Sequence, residues 1–198
     1  MAVRRIDGYE DARFPEEALR QHGAFEADGE PVWIGIVSER AAVVHGKCSG
    51  ELLEEFRFFA EHICEFYAED GALLARFPQE ELFDVQIRDI QPSQFYVDEE
   101  KLRAVLSFVR SGKDVAVPLI ERDGRYVSLD GHTRLCAALR LGEETVRGFL
   151  AQADWDIEDF VREAQRRGVR SPGDMPVLSH EEYCEKWHGY CDEYFARQ

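Results

Sequence analysis

The sequence predicts a mixed α/β (α+β) chain, and three observations carry that expectation. Residues 125–129 alternate as a strand, break at Asp130-Gly131, resume at helical spacing through Leu135, Ala138 and Leu139, and return to strand character at 145–150. Residues 31–37 and 41–45 read as two strands joined by Ser38-Glu39-Arg40, a hairpin. Hydrophobic residues make up 44% and aromatics 12% of the 198 residues, enough for a packed core rather than a disordered chain.

Taken in order, the first thirty residues are polar with scattered aromatics, and Phe14-Pro15-Glu16-Glu17-Ala18-Leu19 suggests a short helix opened by proline. After the hairpin, residues 50–68 predict the strongest helix of the chain. Leu52, Leu53, Phe56, Phe59, Ala60, Ile63 and Tyr67 form its apolar stripe, with Glu54, Glu55, Arg57 and Glu61 off it. Asp70-Gly71 is a turn, 73–77 a strand, and Pro78-Gln79-Glu80-Glu81 interrupts the pattern at a module boundary. Phe83, Val85 and Ile87 then alternate as an entry strand, Pro92-Ser93-Gln94 forms a loop, and acids at or near Asp98 open a helix carrying Leu102, Val105, Leu106 and Val109. Strands at 115–120 and 125–129 are joined by Asp123-Gly124, a hairpin signal.

Beyond residue 150, Ile157, Phe160, Val161 and Ala164 mark an amphipathic helix ending at Gly168. Ser179-His180-Glu181-Glu182 is a capping box opening a terminal helix with Tyr183, Trp187, Tyr190 and Tyr194 on one face. Leaving that face in water costs roughly 25 cal/mol per Å², so it is expected to pack back on the body or to pair with another subunit as a homo-oligomer. The organisation expected is therefore an N-terminal α+β module (1–80), a core (81–152) and a C-terminal helical segment packed on the core (153–198).

Charge and cysteines limit the partners. A net charge of −16 repels phosphate backbones over roughly a Debye length of 8 Å, and Arg162, Arg166, Arg167 and Arg170 form the one basic cluster, which argues against nucleic acid. No apolar run approaches the roughly 20 residues needed to cross a bilayer, and no signal-peptide h-region follows Arg4-Arg5, so a cytoplasmic location is expected. Cys48, Cys64, Cys136, Cys184 and Cys191 are odd in number and contain no C-x-x-C pair, which suits reduced thiols. Cys184, His188 and Cys191 share a helix face at i, i+4 and i+7, but three ligands on one helix do not make a closed zinc site, and no metal site is assigned to them. Cys136 is expected to be a small buried hydrophobe, and Trp33 and Trp155 to be buried rather than to stack on a ligand.

The run Asp130-Gly131-His132-Thr133-Arg134, followed by Ala137-Ala138 and Leu141-Gly142, resembles the signature of the ParB/sulfiredoxin superfamily, and most closely its free-serine kinase branch. That branch carries Asp-Gly-His-His-Arg, so Thr133 departs from it. His132 stands where sulfiredoxin has its reactive cysteine, which argues against that activity. The resemblance runs back to Ile90-Gln91-Pro92-Ser93 and through Pro118-Leu119-Ile120, covering roughly residues 83–150. It implies a ParB/sulfiredoxin-like core, a nucleotide (ATP, ADP or CTP) with Mg²⁺, and a small-molecule phosphotransferase activity.

The residues themselves point to an oxyanion site, because free N–H groups at a helix start carry partial positive charge. Asp130 is the first catalytic candidate, either holding Mg²⁺ or accepting a substrate hydroxyl's proton; the structural alternative is that it only accepts backbone N–H bonds in the turn. His132 is the second. Gly131, His132 and Thr133 would complete a phosphate cradle, and Arg134 would add a planar charge suited to oxyanions. Ser93 and Gln94 belong to the loop where the kinase relatives carry a catalytic glutamate. Gln94 occupies that position and cannot act as a base, so either Glu99 or Glu100 substitutes or the chain binds without transferring phosphate. The rival expectation is accordingly a non-catalytic protein that senses a nucleotide or acidic metabolite.

Overall fold

A computed structural model describes residues 2–153 and 157–197, and the chain divides into two units, Met1–Glu81 and Leu82–Gln198. Trp155, considered above, lies outside the described residues. The C-terminal helices belong to the second unit rather than to a separate body.

The first unit is built on one six-stranded sheet. Its elements are β1 (Val3–Arg5), α1 (Glu16–Arg20), β2 (Ala24–Ala27), β3 (Glu30–Ile36), β4 (Ala41–His45), α2 (Gly50–Arg57), β5 (Glu65–Ala68) and β6 (Leu73–Arg76), and the strands lie side by side in that order. All neighbours are antiparallel except β4 and β5, whose parallel pairing requires the crossover that α2 supplies. Val32, Ile34, Ala42 and Val44 alternate inward and meet Leu52, Leu53 and Phe56 of α2 and Phe66 of β5. Ser49 caps α2 by accepting the Leu52 N–H at 3.2 Å.

The helix expected over 50–68 is corrected here. It stops at Arg57, and Glu65–Ala68 is a strand. The Arg57 guanidinium donates to the carbonyls of Glu61 and Ile63 and ties the chain back on itself, while the Cys64 and Glu65 amides donate to the Arg40 carbonyl. The apolar spacing survives because Ala60 and Ile63 still face the core from the turn, but pairing with β4 outweighs helical propensity for a segment rich in aromatics.

The second unit comprises β7 (Phe83–Gln86), β8 (Ile90–Pro92), β9 (Val97–Asp98), α3 (Glu99–Leu106), β10 (Ala116–Arg122), β11 (Arg125–Ser128), α4 (His132–Arg140), β12 (Thr145–Leu150), α5 (Glu158–Arg166) and β13 (Val177–Leu178). Then α6 (His180–Tyr183) passes through a widened π segment, Cys184–His188, into α7 (Gly189–Phe195). A five-stranded mixed sheet runs β7-β12-β10-β11-β8, and β9 and β13 form a separate parallel pair. Leu102, Val105, Leu135, Ala137 and Ala138 of α3 and α4 cover one face of the sheet over Val117, Leu119 and Val146. Ile157 and Val161 pack beside Ile120 and Val127 in a smaller cluster. The aromatic face of the terminal helices folds back within the unit: Trp187 and Tyr190 stand edge-on to Phe95 and to Phe160, and Tyr194 to Phe160. No helix among the described residues is long and apolar enough to cross a membrane.

Phe56 is 2% exposed and stands edge-on to Phe66 at 5.9 Å. Phe56→Ala is expected to cost the first unit about 3–5 kcal/mol, read as an earlier urea transition of that unit.

Candidate functional site

Parallel pairing brings two loops to one place. β8 and β11 run in the same direction with Pro92 opposite Ser128, so the Ser93-Gln94 loop and the turn through Asp130-Gly131 leave the sheet together at the carboxyl ends of these two strands. The turn is fixed by Gly131, which adopts a left-handed φ of +79° and whose missing Cβ would lie 2.5 Å from Val117 Cγ1. Any other residue there meets both backbone strain and a clash.

α4 starts at once. Leu135 N–H donates to the Gly131 carbonyl at 2.9 Å, so the amides of His132, Thr133 and Arg134 precede the first intrahelical bond. A glycine at the N-cap brings no side chain to cover them, and the first turn holds no acid. Those amides therefore carry the partial positive charge that attracts an anion.

His132 turns inward. It is 5% exposed, and its Nε2 accepts the Ser93 and Gln94 amides, each at 3.3 Å, with Ser93 Oγ 3.1 Å away. A nitrogen that accepts two N–H groups holds a lone pair, so the ring proton sits on Nδ1. Burial pushes the imidazole down to about 4, against the raising influence of Asp130. Ser93 is also inside, donating its hydroxyl to the Ser128 carbonyl at 2.8 Å. The two loops are thus joined by a buried, neutral histidine.

Arg134 and Asp130 form the rim. Arg134 Nη1 donates to the Ala116 carbonyl at 3.0 Å, which anchors the guanidinium at the start of β10, and its Nη2 reaches Asp130 Oδ2 at 3.5 Å. The Asp130 side chain is half exposed and that of Arg134 mostly buried. Thr133 is half-buried beside them. Gln94 is half-buried too, but its amide is committed: Nε2 donates to the Tyr96 carbonyl and lies 3.3 Å from the Tyr183 hydroxyl. Of the residues singled out from sequence, Asp130, Thr133, Arg134 and Gln94 reach the surface of the site, whereas Gly131, His132 and Ser93 support it from below. Glu99, a substitute base on paper, pairs instead with Arg103 at 3.2 Å.

Sequence reasoning missed Ser128, whose carbonyl takes the Ser93 hydroxyl and whose own hydroxyl is buried with no partner among the described residues. It also missed Tyr183, which stands over Gln94 with burial pushing its phenol up. The capping box at Ser179 was the available signal for a helix arriving here, but nothing in it indicated the contact. Cys136 donates to the Pro172 carbonyl, and burial pushes its thiol up to about 12, so it is an inert core residue. No group of three or more His, Cys, Asp or Glu among the described residues is arranged to hold a metal ion. Three arginines of the basic cluster are tied to neighbouring acids: Arg162 pairs with Asp159, and Arg166 and Arg167 share Glu163, which they hold down to about 2.

The His132 linkage has a defined sign. The folded ring titrates near 4 and the unfolded one near 6.5, so the unfolded chain takes the proton first. Stability is full above pH 6.5 and is expected to fall by about 2–3 kcal/mol as pH drops toward 4.5, read by urea unfolding at both pH values. His132→Gln should be less stable at pH 7.5 and lose this slope. Gly131→Ala should cost about 1–3 kcal/mol or more by the same measurement.

No protein-family model matches the chain, and no curated protein matches it. Among solved structures, the crystal structure of protein Atu1540 from Agrobacterium tumefaciens is similar at 18% identity with a TM-score of 0.33, the match covering 50% of this chain and 60% of that one.

Proposed function

We propose that the second unit binds a nucleotide or another phosphorylated small molecule at the start of α4, in the manner of ParB/sulfiredoxin-type proteins. The observation that carries this reading is the uncapped first turn of α4: three consecutive amides with no acid among them, next to a guanidinium anchored on β10. A phosphate there would accept N–H bonds from Thr133 and Arg134 and a charge-assisted contact from the Arg134 side chain, worth about 1.5–3 kcal/mol. Asp130 at the rim would repel a bare anion. A single exposed carboxylate beside a phosphate is, however, the donor set on which Mg²⁺ is shared between protein and nucleotide. The residues therefore fit a Mg²⁺-nucleotide, with ATP, ADP or CTP as the forms to test.

For phosphotransfer to a small-molecule hydroxyl, Asp130 is the side chain able to accept the proton, while His132 positions the loop and takes no proton near neutral pH. The second reading, a non-catalytic sensor of a nucleotide or acidic metabolite, is favoured by Gln94 standing where the kinase relatives have their base and by the commitment of its amide to Tyr96.

A thermal-shift series with ATP, ADP, CTP and inorganic phosphate, with and without Mg²⁺, tests the binding. At 100 times Kd a ligand adds about 2.7 kcal/mol, a rise of several degrees in Tm. Arg134→Ala is expected to weaken binding about tenfold or more, and Asp130→Asn to remove its Mg²⁺ dependence. No shift with any of these would reject the site. Formation of phosphoserine from free serine, abolished by Asp130→Asn, supports the kinase; tight binding without turnover supports the sensor.

A further inference from the structure

Outside the α4 site, three side chains meet in the order carboxylate, imidazole, thiol. Asp98, at the end of β9, is 1% exposed and caps α3 by accepting the Glu100 N–H at 2.8 Å on Oδ1. Its Oδ2 lies 2.7 Å from His180 Nδ1, and His180 Nε2 faces Cys184 Sγ at 3.6 Å. The carboxylate holds the proton on Nδ1, which leaves the Nε2 lone pair directed at the thiol. Backbone structure fixes this geometry twice over. Parallel pairing sets Leu178 opposite Asp98, two residues before His180, and Ser179 caps α6 so that Cys184 follows His180 at i+4. From Cys184 onward the helix widens into its π segment, a distortion frequent at functional sites.

Capping and the ion pair account for the buried Asp98 and for His180. They do not account for a thiol at the other ring nitrogen. Metal binding does not account for it either, since no metal-holding group occurs among the described residues. Cys184 is half-buried and His180 exposed, so a small reagent can reach the pair.

We propose that Cys184 is a nucleophilic thiol activated by His180, with Asp98 as the positioning residue, and that it forms mixed disulfides with low-molecular-weight disulfides. Cys184 Sγ attacks one sulfur of R–S–S–R while its proton passes to His180 Nε2. The Cys184 S–S bond forms, the reagent's own S–S bond breaks, and RS⁻ leaves with the electron pair and takes up the proton as RSH. Cys184 is thereby oxidised and the departing half of the reagent reduced. Glu181 and Glu185 flank Cys184 in the chain and Glu100 faces His180, with Lys101 the nearby countercharge, so a cationic disulfide fits better than an anionic one.

The charged and titratable groups that face His180 are Asp98, Glu100 and Lys101 from α3 and its start, and Cys184 and His188 from its own helix. Asp98 raises the titration of His180 above its ordinary 6.5. His180 must be neutral to take the proton, so activation is lost as pH falls through that raised value.

The test treats the full chain with cystamine at pH 8 and follows each of the five cysteines by peptide mass spectrometry. Cys184 should react fastest, at least tenfold faster than the same residue in the urea-unfolded chain. His180→Gln should remove that excess and leave Cys48 unchanged. Asp98→Asn, which keeps a capping side chain, should move the acid limb of the Cys184 pH profile to lower pH, a change that loss of structure alone would not produce. A folded-state rate at or below the unfolded rate overturns the proposal without reference to any variant, and so does an unaltered rate in a folded His180→Gln protein.

Discussion

The buried ring of His132 is the contact on which the second unit's candidate site depends. Two strand ends arrive together because β8 and β11 are parallel, but each hands its chain to a loop whose amides need partners once water is excluded. His132 Nε2 receives two of them, from Ser93 and Gln94, and the ring can do so only while neutral. Burial enforces that neutrality. The result is a division of labour: the histidine spends its hydrogen-bonding capacity on the scaffold, while the first turn of α4 is left without a side-chain cap.

Gly131 contributes the complementary constraint. A left-handed residue close against Val117 completes the three-residue turn, Leu129 to Gly131, that leads from β11 into α4. Arg134, one turn on, reaches back to the Ala116 carbonyl and stands beside Asp130. In a chain with sixteen excess negative charges, this arginine is held at the helix start by a backbone carbonyl and a carboxylate, while Arg162, Arg166 and Arg167 pair with Asp159 and Glu163.

The terminal helices are part of this arrangement. Their aromatic face is held by Phe95 and Phe160, and Arg167 lies 4.4 Å over the Phe95 ring. Docking there sets Tyr183 on Gln94 and His180 on Asp98. One packing event therefore supplies a neighbour to the candidate site and assembles the carboxylate–imidazole–thiol row.

Much of this was readable from local pattern. The 31–45 hairpin, the strand–turn–helix–strand run through Asp130-Gly131, and the capped terminal helix follow from alternation, helical spacing and turn chemistry, all of which act over a few residues. The same locality explains the failure at 50–68: an apolar spacing near 3.6 serves a short helix followed by an inward-facing turn as well as one long helix, and only pairing with β4 distinguishes them. For the site, local chemistry pointed to Asp130, Thr133 and Arg134 around an oxyanion. It could not tell that His132 points inward, because that depends on two amides 38 and 39 residues away in the chain, nor that Asp98 meets a histidine 82 residues later. Short-range propensities lie in the order of residues, whereas the direction in which a polar side chain turns is settled by which distant groups lose their water alongside it.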